Sequence, residues 1–177
     1  LGGAEKRQLQ QVYGGSLNGE VNQATLSLNA EWDSLYWLTA GGYNDTTHSA
    51  QVFIQDNRTS SSDEAVSLYI QGDGEKTAIT TLQGSGGSSG ASDLPKLNLS
   101  VIDVQEITVE YGDVNLMAVS GLSVDLSLDR LEVQSAGRVR FQDWKTVQIG
   151  TLSGGNGKIV LPAHRANVSG QLTGQTP

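Results

Sequence analysis

Apolar and polar residues alternate with a period of two through most of this 177-residue chain. In the stretch QATLSLNAEW, Ala24, Leu26, Leu28, Ala30 and Trp32 fall on one side of an extended backbone. Thr25, Ser27, Asn29 and Glu31 fall on the other. Successive side chains of a strand point to opposite faces, so this pattern buries one face and leaves the other wet. The same reading gives strands at 50–55, 65–71 and 76–82, separated by the turn clusters GGYNDTTHS, DNRTSSSDE and GDGE. From residue 96 onward the strands shorten and crowd together, starting at 96, 106, 114, 121, 130, 138, 145 and 158. Their phase slips: Leu128 and Leu131 are both apolar yet three apart, which places a turn or bulge at Asp129–Arg130. About a dozen short strands make the chain all-β. Two architectures satisfy the pattern, an elongated β-sandwich and a β-solenoid-like domain. No fixed repeat length survives counting.

One segment departs from the strand pattern. In AEKRQLQQVYGG, Ala4 to Tyr13 are mostly good helix formers, and Leu9, Val12 and Tyr13 make an apolar edge at helical spacing. Gly14–Gly15 supplies a stop, so one short N-terminal helix is expected there. The same residues also fit the end of a double-glycine export leader, and the helix explains them more simply. The chain begins at Leu1 with no initiator Met, as a mature or trimmed form does.

The polar residues set the class of protein. Apolar residues make up 37% and charged residues 17%, both below the ~45–50% and ~25% of ordinary soluble domains. Gly, Ser, Thr, Asn and Gln fill the difference, a bias common in secreted bacterial β-proteins and fibres. The formal net charge is −8. Such a surface repels polyphosphate, so a nucleic-acid partner is disfavoured, as is an anionic membrane. Residues 1–83 carry 10 acidic against 4 basic side chains, net −6, and residues 84–177 carry 9 against 7, net −2. There is no cysteine, which excludes disulfides, thiolate metal sites and a Cys nucleophile. A loop-rich eukaryotic secreted domain would carry a disulfide; an exported bacterial one need not. No apolar run approaches the ~18 residues of a membrane-spanning helix, so membrane insertion is not expected.

Few residues suggest chemistry. Asp45, His48 and Ser49 lie together in one turn-like stretch, but each partner of a catalytic relay must approach the imidazole from its own side, which sequence neighbours rarely do. His164 is the only other histidine. No metalloprotease, nucleophile-elbow or phosphate-loop pattern is present, and the chain reads as non-enzymatic. No cofactor is implied. The carboxylates in the loops at 56–64 and 71–75 offer oxygen ligands for a structural Ca²⁺ but lack its standard spacing. Trp32, Tyr36 and Trp37 are concentrated in EWDSLYWL. Trp32 belongs to the apolar face, whereas Tyr36 and Trp37 are candidates for an aromatic platform contacting a glycan or a partner. In RVRFQDWK, Arg138, Arg140 and Lys145 form the one basic cluster. An exposed face paired with acids such as Asp125 or Glu132 explains it, and a self-association face meeting the acidic surface of another copy is the functional alternative.

Two segments resemble known families. FQDWKTVQIGTLSGGNGKIVL, residues 141–161, resembles one coil of autotransporter-type β-helical passengers. LPKLNLSVIDVQEITVEYGDVNLMAVSGLSVDLSL, residues 94–128, is similar to AsmA/TamB-type periplasmic proteins, which form an open β-groove for lipid. The second resemblance would make Leu122, Val124, Leu126 and Leu128 a lipid-facing stripe. Both imply an elongated bacterial β-structure beyond the inner membrane.

The expectation is therefore a structural or adhesive protein of the bacterial exterior, secreted or on the cell surface. It self-assembles through strand or edge contacts as a fibre or matrix subunit, with itself or a surface glycan as partner. The alternatives are a periplasmic lipid-handling groove and a glycan-binding sandwich. The segment from Gly84 to Gly90 is only Gly and Ser, and the reading divides the chain around residues 84–93. Residues 1–83 hold the helix and longer strands, 84–93 a loop or linker, and 94–177 the short strands, with the two parts sharing one core. Protease nicking within 84–90 should then leave two fragments that co-elute in size-exclusion chromatography; separate elution would make them independent domains.

Overall fold

In the computed structural model, residues 12–13, 24–28, 35–40, 50–56, 65–72, 76–84, 94–119, 124–154, 157–161, 166–168 and 172–173 are described. Among them there is no helix. Thirteen strands follow in chain order: β1 (Val12–Tyr13), β2 (Ala24–Leu28), β3 (Leu35–Ala40), β4 (Ala50–Asp56), β5 (Val66–Gly72), β6 (Thr77–Gln83), β7 (Lys96–Ile102), β8 (Glu106–Met117), β9 (Asp125–Gln142), β10 (Thr146–Ser153), β11 (Lys158–Val160), β12 (Ala166–Val168) and β13 (Leu172–Thr173). Residues 4–11 of the expected helix lie outside the described residues. Its last two, Val12 and Tyr13, are strand instead, hydrogen-bonded beside Leu38 and Thr39. Residues 85–93 also lie outside the described residues.

Every strand pairing among the described residues is parallel, within one curled sheet. Strands pair mainly with the second strand along the chain, so two sets of strands interleave. One ladder runs Ala24, Val52, Ile79, Ile107, Leu131, Leu152 and Leu172. A second runs Val66, Leu97, Val114, Val139 and Ile159. A third begins later, with Leu126, Val147 and Ala166 beside Leu128, Ile149 and Val168. The residue numbers explain why no fixed repeat emerges from the sequence. Rungs of the first ladder are 28, 27, 28, 24, 21 and 20 residues apart, because the loops between strands differ in length while the strands stay in register at these rungs.

Parallel sheets ordinarily bury both faces under helices. Here β6, β8 and β10 largely alternate buried and more open positions, so this part of the sheet has one wet face. Its apolar face is covered by the sheet itself. Val52, Ile54, Ile79, Leu97, Ile107, Val114, Leu131, Val139 and Ile149 belong to one buried cluster drawn from all three ladders, spanning both sides of the Gly/Ser segment.

The corners explain how the chain turns between ladders. Asp103 and Asp143 have φ of 54° and 62°, left-handed values that Asp tolerates better than most residues. Each is followed by a buried apolar residue, Val104 or Trp144. The Trp144 indole N–H donates to the carbonyl oxygen of Leu116 at 2.9 Å, pinning one corner to the preceding coil. Gln105 ties three coils. Its amide donates to the Thr77 carbonyl oxygen at 3.0 Å, its side-chain oxygen accepts from the Thr77 amide at 2.6 Å, and its carbonyl oxygen accepts from the amides of Asp129 and Arg130. Two consecutive amides sharing one acceptor mark a corner inside β9, where Leu128 and Leu131 keep to the interior on either side of it. A second corner falls at Gly112, with φ of 103°, paired with Gly137. A Cβ on Gly137 would lie 2.5 Å from the Val109 carbonyl oxygen, so only glycine lets the two backbones approach.

Ile107 is fully buried at the centre of the first ladder. Ile107→Ala should cost about 3 kcal/mol through lost burial and the cavity left behind, lowering Tm by roughly 9 °C. Thr108→Ala, on the wet face of the same strand, should change Tm far less. Equal shifts by calorimetry would contradict the assigned interior.

Candidate functional site

Among the described residues, the wet side of the second ladder carries the main concentration of cations. Period two brings Lys96, Asn98, Asp113, Asn115, Arg138, Arg140, Gln142, Lys158 and Val160 to this side, since their neighbours Leu97, Val114, Leu116 and Val139 are buried. Parallel register then orders them into rows. Lys96 stands beside Asp113, Asp113 beside Arg138, and Arg138 beside Lys158. In the next row Asn98 stands beside Asn115, Asn115 beside Arg140, and Arg140 beside Val160. Four of the seven basic residues in 84–177 thus share one side; among the described residues the carboxylates beside them are Asp113, within the rows, and Asp143, whose oxygen accepts from the Gln142 side-chain amide at 3.1 Å.

The carboxylate within the rows does not serve its nearest rung. Asp113 accepts from Arg140 at 3.2 Å, although Arg138 is its register partner. Among the described residues, no ion pair involves Arg138 or Lys158. Cations on the wet side of the first ladder are treated differently: Lys76 pairs with Glu106 at 2.8 Å, and Arg130 pairs with Glu132. Asp113, Arg138, Val139, Arg140, Lys158 and Val160 line a shallow depression of about 130 Å³.

Beside the cations runs a ladder of uncharged polar groups. Asn115 donates to the side-chain oxygen of Asn98 at 3.2 Å and to that of Gln142 at 2.7 Å, and Asn98 reaches the Ser67 hydroxyl at 3.5 Å. Farther along, the sheet is covered: Tyr69 and its register partner Ser100 are 7% and 5% exposed. Burial, and then the nearby Asp103 carboxylate, push the Tyr69 phenol above its ordinary pKa.

A second concavity, of about 290 Å³, sits where the third ladder begins, lined by Asp103, Gln105, Asp125, Ser127 and Asp129 among others. Among the described residues, no cluster of three or more His, Cys, Asp or Glu side chains is arranged to hold a metal.

The structure regroups the residues singled out from the sequence. Arg138 and Arg140 share the basic side, but Lys145 lies in the turn entering β10, where its amide donates to the Val124 carbonyl oxygen. Lys158 takes its place, brought in by the β9–β11 register that no local pattern encodes. The acid partner is Asp113, whereas Glu132 is engaged with Arg130. Tyr36 and Trp37 fall in a register shift of β3 against β5, two backbone positions against the one of Tyr69 between the pairs Leu35–Leu68 and Leu38–Ile70. Of the lipid-facing stripe, Leu126 and Leu128 are core residues, 4% and 2% exposed, in register with Val147 and Ile149, and Val124 is 42% exposed. Leu122, His48, His164 and the carboxylate loops 57–64 and 73–75 lie outside the described residues.

The chain matches no family model, no curated protein and no solved structure.

Asp113→Asn tests how far the basic side relies on the Asp113 carboxylate. An exposed ion pair contributes less than about 1 kcal/mol, so Tm should move by no more than roughly 3 °C. A larger drop in thermal denaturation would make Asp113 a structural requirement of the β8–β9 pairing.

Proposed function

We propose that this chain is an elongated β-solenoid-like domain of an exported bacterial protein, with a structural or adhesive role at the cell surface and no catalytic activity. It associates with further copies through its strand edges. The observation that supports this reading is the edge at β11. Among the described residues, β11 pairs only with β9, and beside that edge Val160 and Leu161 are 48% and 38% exposed. An uncovered strand presents amide and carbonyl groups ready for another chain. Stacked parallel strands leave such an edge at each end of a column, and a second copy can continue the ladder without new chemistry. The all-parallel ladders favour a solenoid over a sandwich, in the manner that the resemblance of residues 141–161 to β-helical passengers implies. The polar, cysteine-free composition suits export from a bacterial cell.

A lipid groove is the less favoured reading, because Leu126 and Leu128 are buried in the core and do not line an open face.

A charge on the edge tests the reading. Val160→Lys should block edge pairing, as edge lysines do in natural sheets, with little effect on a fold that leaves Val160 half exposed. Light scattering and negative-stain microscopy at matched concentration should show assemblies of the parent chain and dispersed particles of the variant. Identical particle sizes for both would sink edge-mediated assembly.

A further inference from the structure

The basic side carries an electrostatic conflict that no ion pair among the described residues relieves. Arg138 and Lys158 occupy directly neighbouring rungs, and parallel strands lie about 4.8 Å apart. Like charges set opposite each other on adjacent strands destabilise a sheet. Among the described residues, Asp113 is the anion in register with Arg138, and it pairs with Arg140, while Asp143 accepts from Gln142. The first ladder shows that this chain places acids next to cations where it can, at Lys76–Glu106 and Arg130–Glu132. On a protein of net charge −8, two unneutralised cations side by side are a local reversal of sign.

We propose that this side of the sheet binds an acidic polysaccharide, with a carboxylate or sulfate group of the polymer seated between Arg138 and Lys158. Three features match that chemistry. The guanidinium of Arg138 offers a planar pair of donors to an oxyanion, and Lys158 adds a second charge from the adjacent strand. The depression of about 130 Å³ that they border includes Val160, whose half-exposed side chain suits the C–H face of a sugar ring. The amide ladder of Asn98, Asn115 and Gln142 runs across successive strands and supplies neutral donors and acceptors for sugar hydroxyls. A polymer lying across the strands meets these groups at the strand spacing, so one chain can engage several rungs and gain avidity.

Nucleic acid fits less well. The rest of the acidic surface repels a continuous phosphate backbone, and among the described residues no aromatic side chain lines the depression for base stacking. The acidic surface of a second copy is the competing occupant. It would supply carboxylates but has no need of the amide ladder. The proposal depends on the register of β8, β9 and β11 and not on edge assembly, so the two can fail separately.

The test uses calorimetric titration of the chain with polygalacturonate, dextran sulfate and neutral dextran, with the association state of each sample measured by size-exclusion chromatography. Binding to either acidic polymer and not to neutral dextran is expected, and the polymer bound distinguishes carboxylate from sulfate. Affinity should fall as salt is raised, by screening of the charges. The double variant Arg138→Gln, Lys158→Gln should bind at least tenfold more weakly. Lys145→Gln, in the turn outside the depression, should bind as the parent does. Arg138→Lys with Lys158→Arg preserves charge and should retain most of the affinity, separating lost contacts from a lost fold. Equal binding by the double variant, binding of neutral dextran as tight as that of the acids, or no binding of either acidic polymer would each overturn the proposal. So would a double variant that changes association state while polymer binding is unaltered, since the cations would then serve contact between copies.

Discussion

Stacking of like on like, rung over rung, is the constraint on which the rest of this structure depends. Val52, Ile79, Ile107, Leu131 and Leu152 lie in register along one parallel ladder, and each is at most 2% exposed. A parallel ladder repeats its geometry at every rung, so a branched apolar side chain that fits one level fits the next. A one-residue slip would turn the whole set outward. The loops between rungs can therefore vary in length without disturbing the interior, and they do.

The corners serve that stacking. A strand with one wet face cannot cover its own apolar face; the sheet must curl until its faces meet. Left-handed Asp103 and Asp143 turn the chain, and the apolar residue after each enters the core at the turn. Gly112 and Gly137 allow close approach at another corner. Gln105 and Trp144 then join one coil to its neighbours by hydrogen bonds that leave turn backbone paired. Apolar burial specifies which residues enter, and these few polar bonds specify where the chain bends.

The same register that packs the interior also composes the exterior. Side chains on the wet side inherit neighbours from the ladder, whatever their charge. Asn98 and Asn115 gain from this by bonding to each other, whereas Arg138 and Lys158 are brought together at a cost. In a stacked parallel sheet, a row of outward residues is one surface even though its members are 17 to 25 residues apart in the chain, as Lys96, Asp113, Arg138 and Lys158 are.

The positions of several strands were legible in the sequence alone, although the strands expected from 106 and 114 are one continuous β8 and those expected from 130 and 138 both fall within β9. Strands expected at 50–55, 65–71 and 76–82 correspond to β4, β5 and β6, and the phase break at Asp129–Arg130 corresponds to the corner beneath Gln105. These are local properties: burial of one face imposes a period of two, and a corner interrupts it. The repeated corner of Asp followed by a buried apolar residue, IDV and QDW, was also present as a signal, though too short to notice without its geometry. Val12 and Tyr13 show the limit, since their helical spacing yielded to pairing with Leu38 and Thr39. The tertiary structure decided that neighbouring strands run parallel, which rungs meet, that Leu126 and Leu128 lie inside, and that Lys158 rather than Lys145 joins Arg138 and Arg140. Alternation records which side of a strand is buried. The backbone hydrogen bonds that choose its neighbour are the same for every residue, so strand partnership becomes fixed only when the whole apolar face is closed.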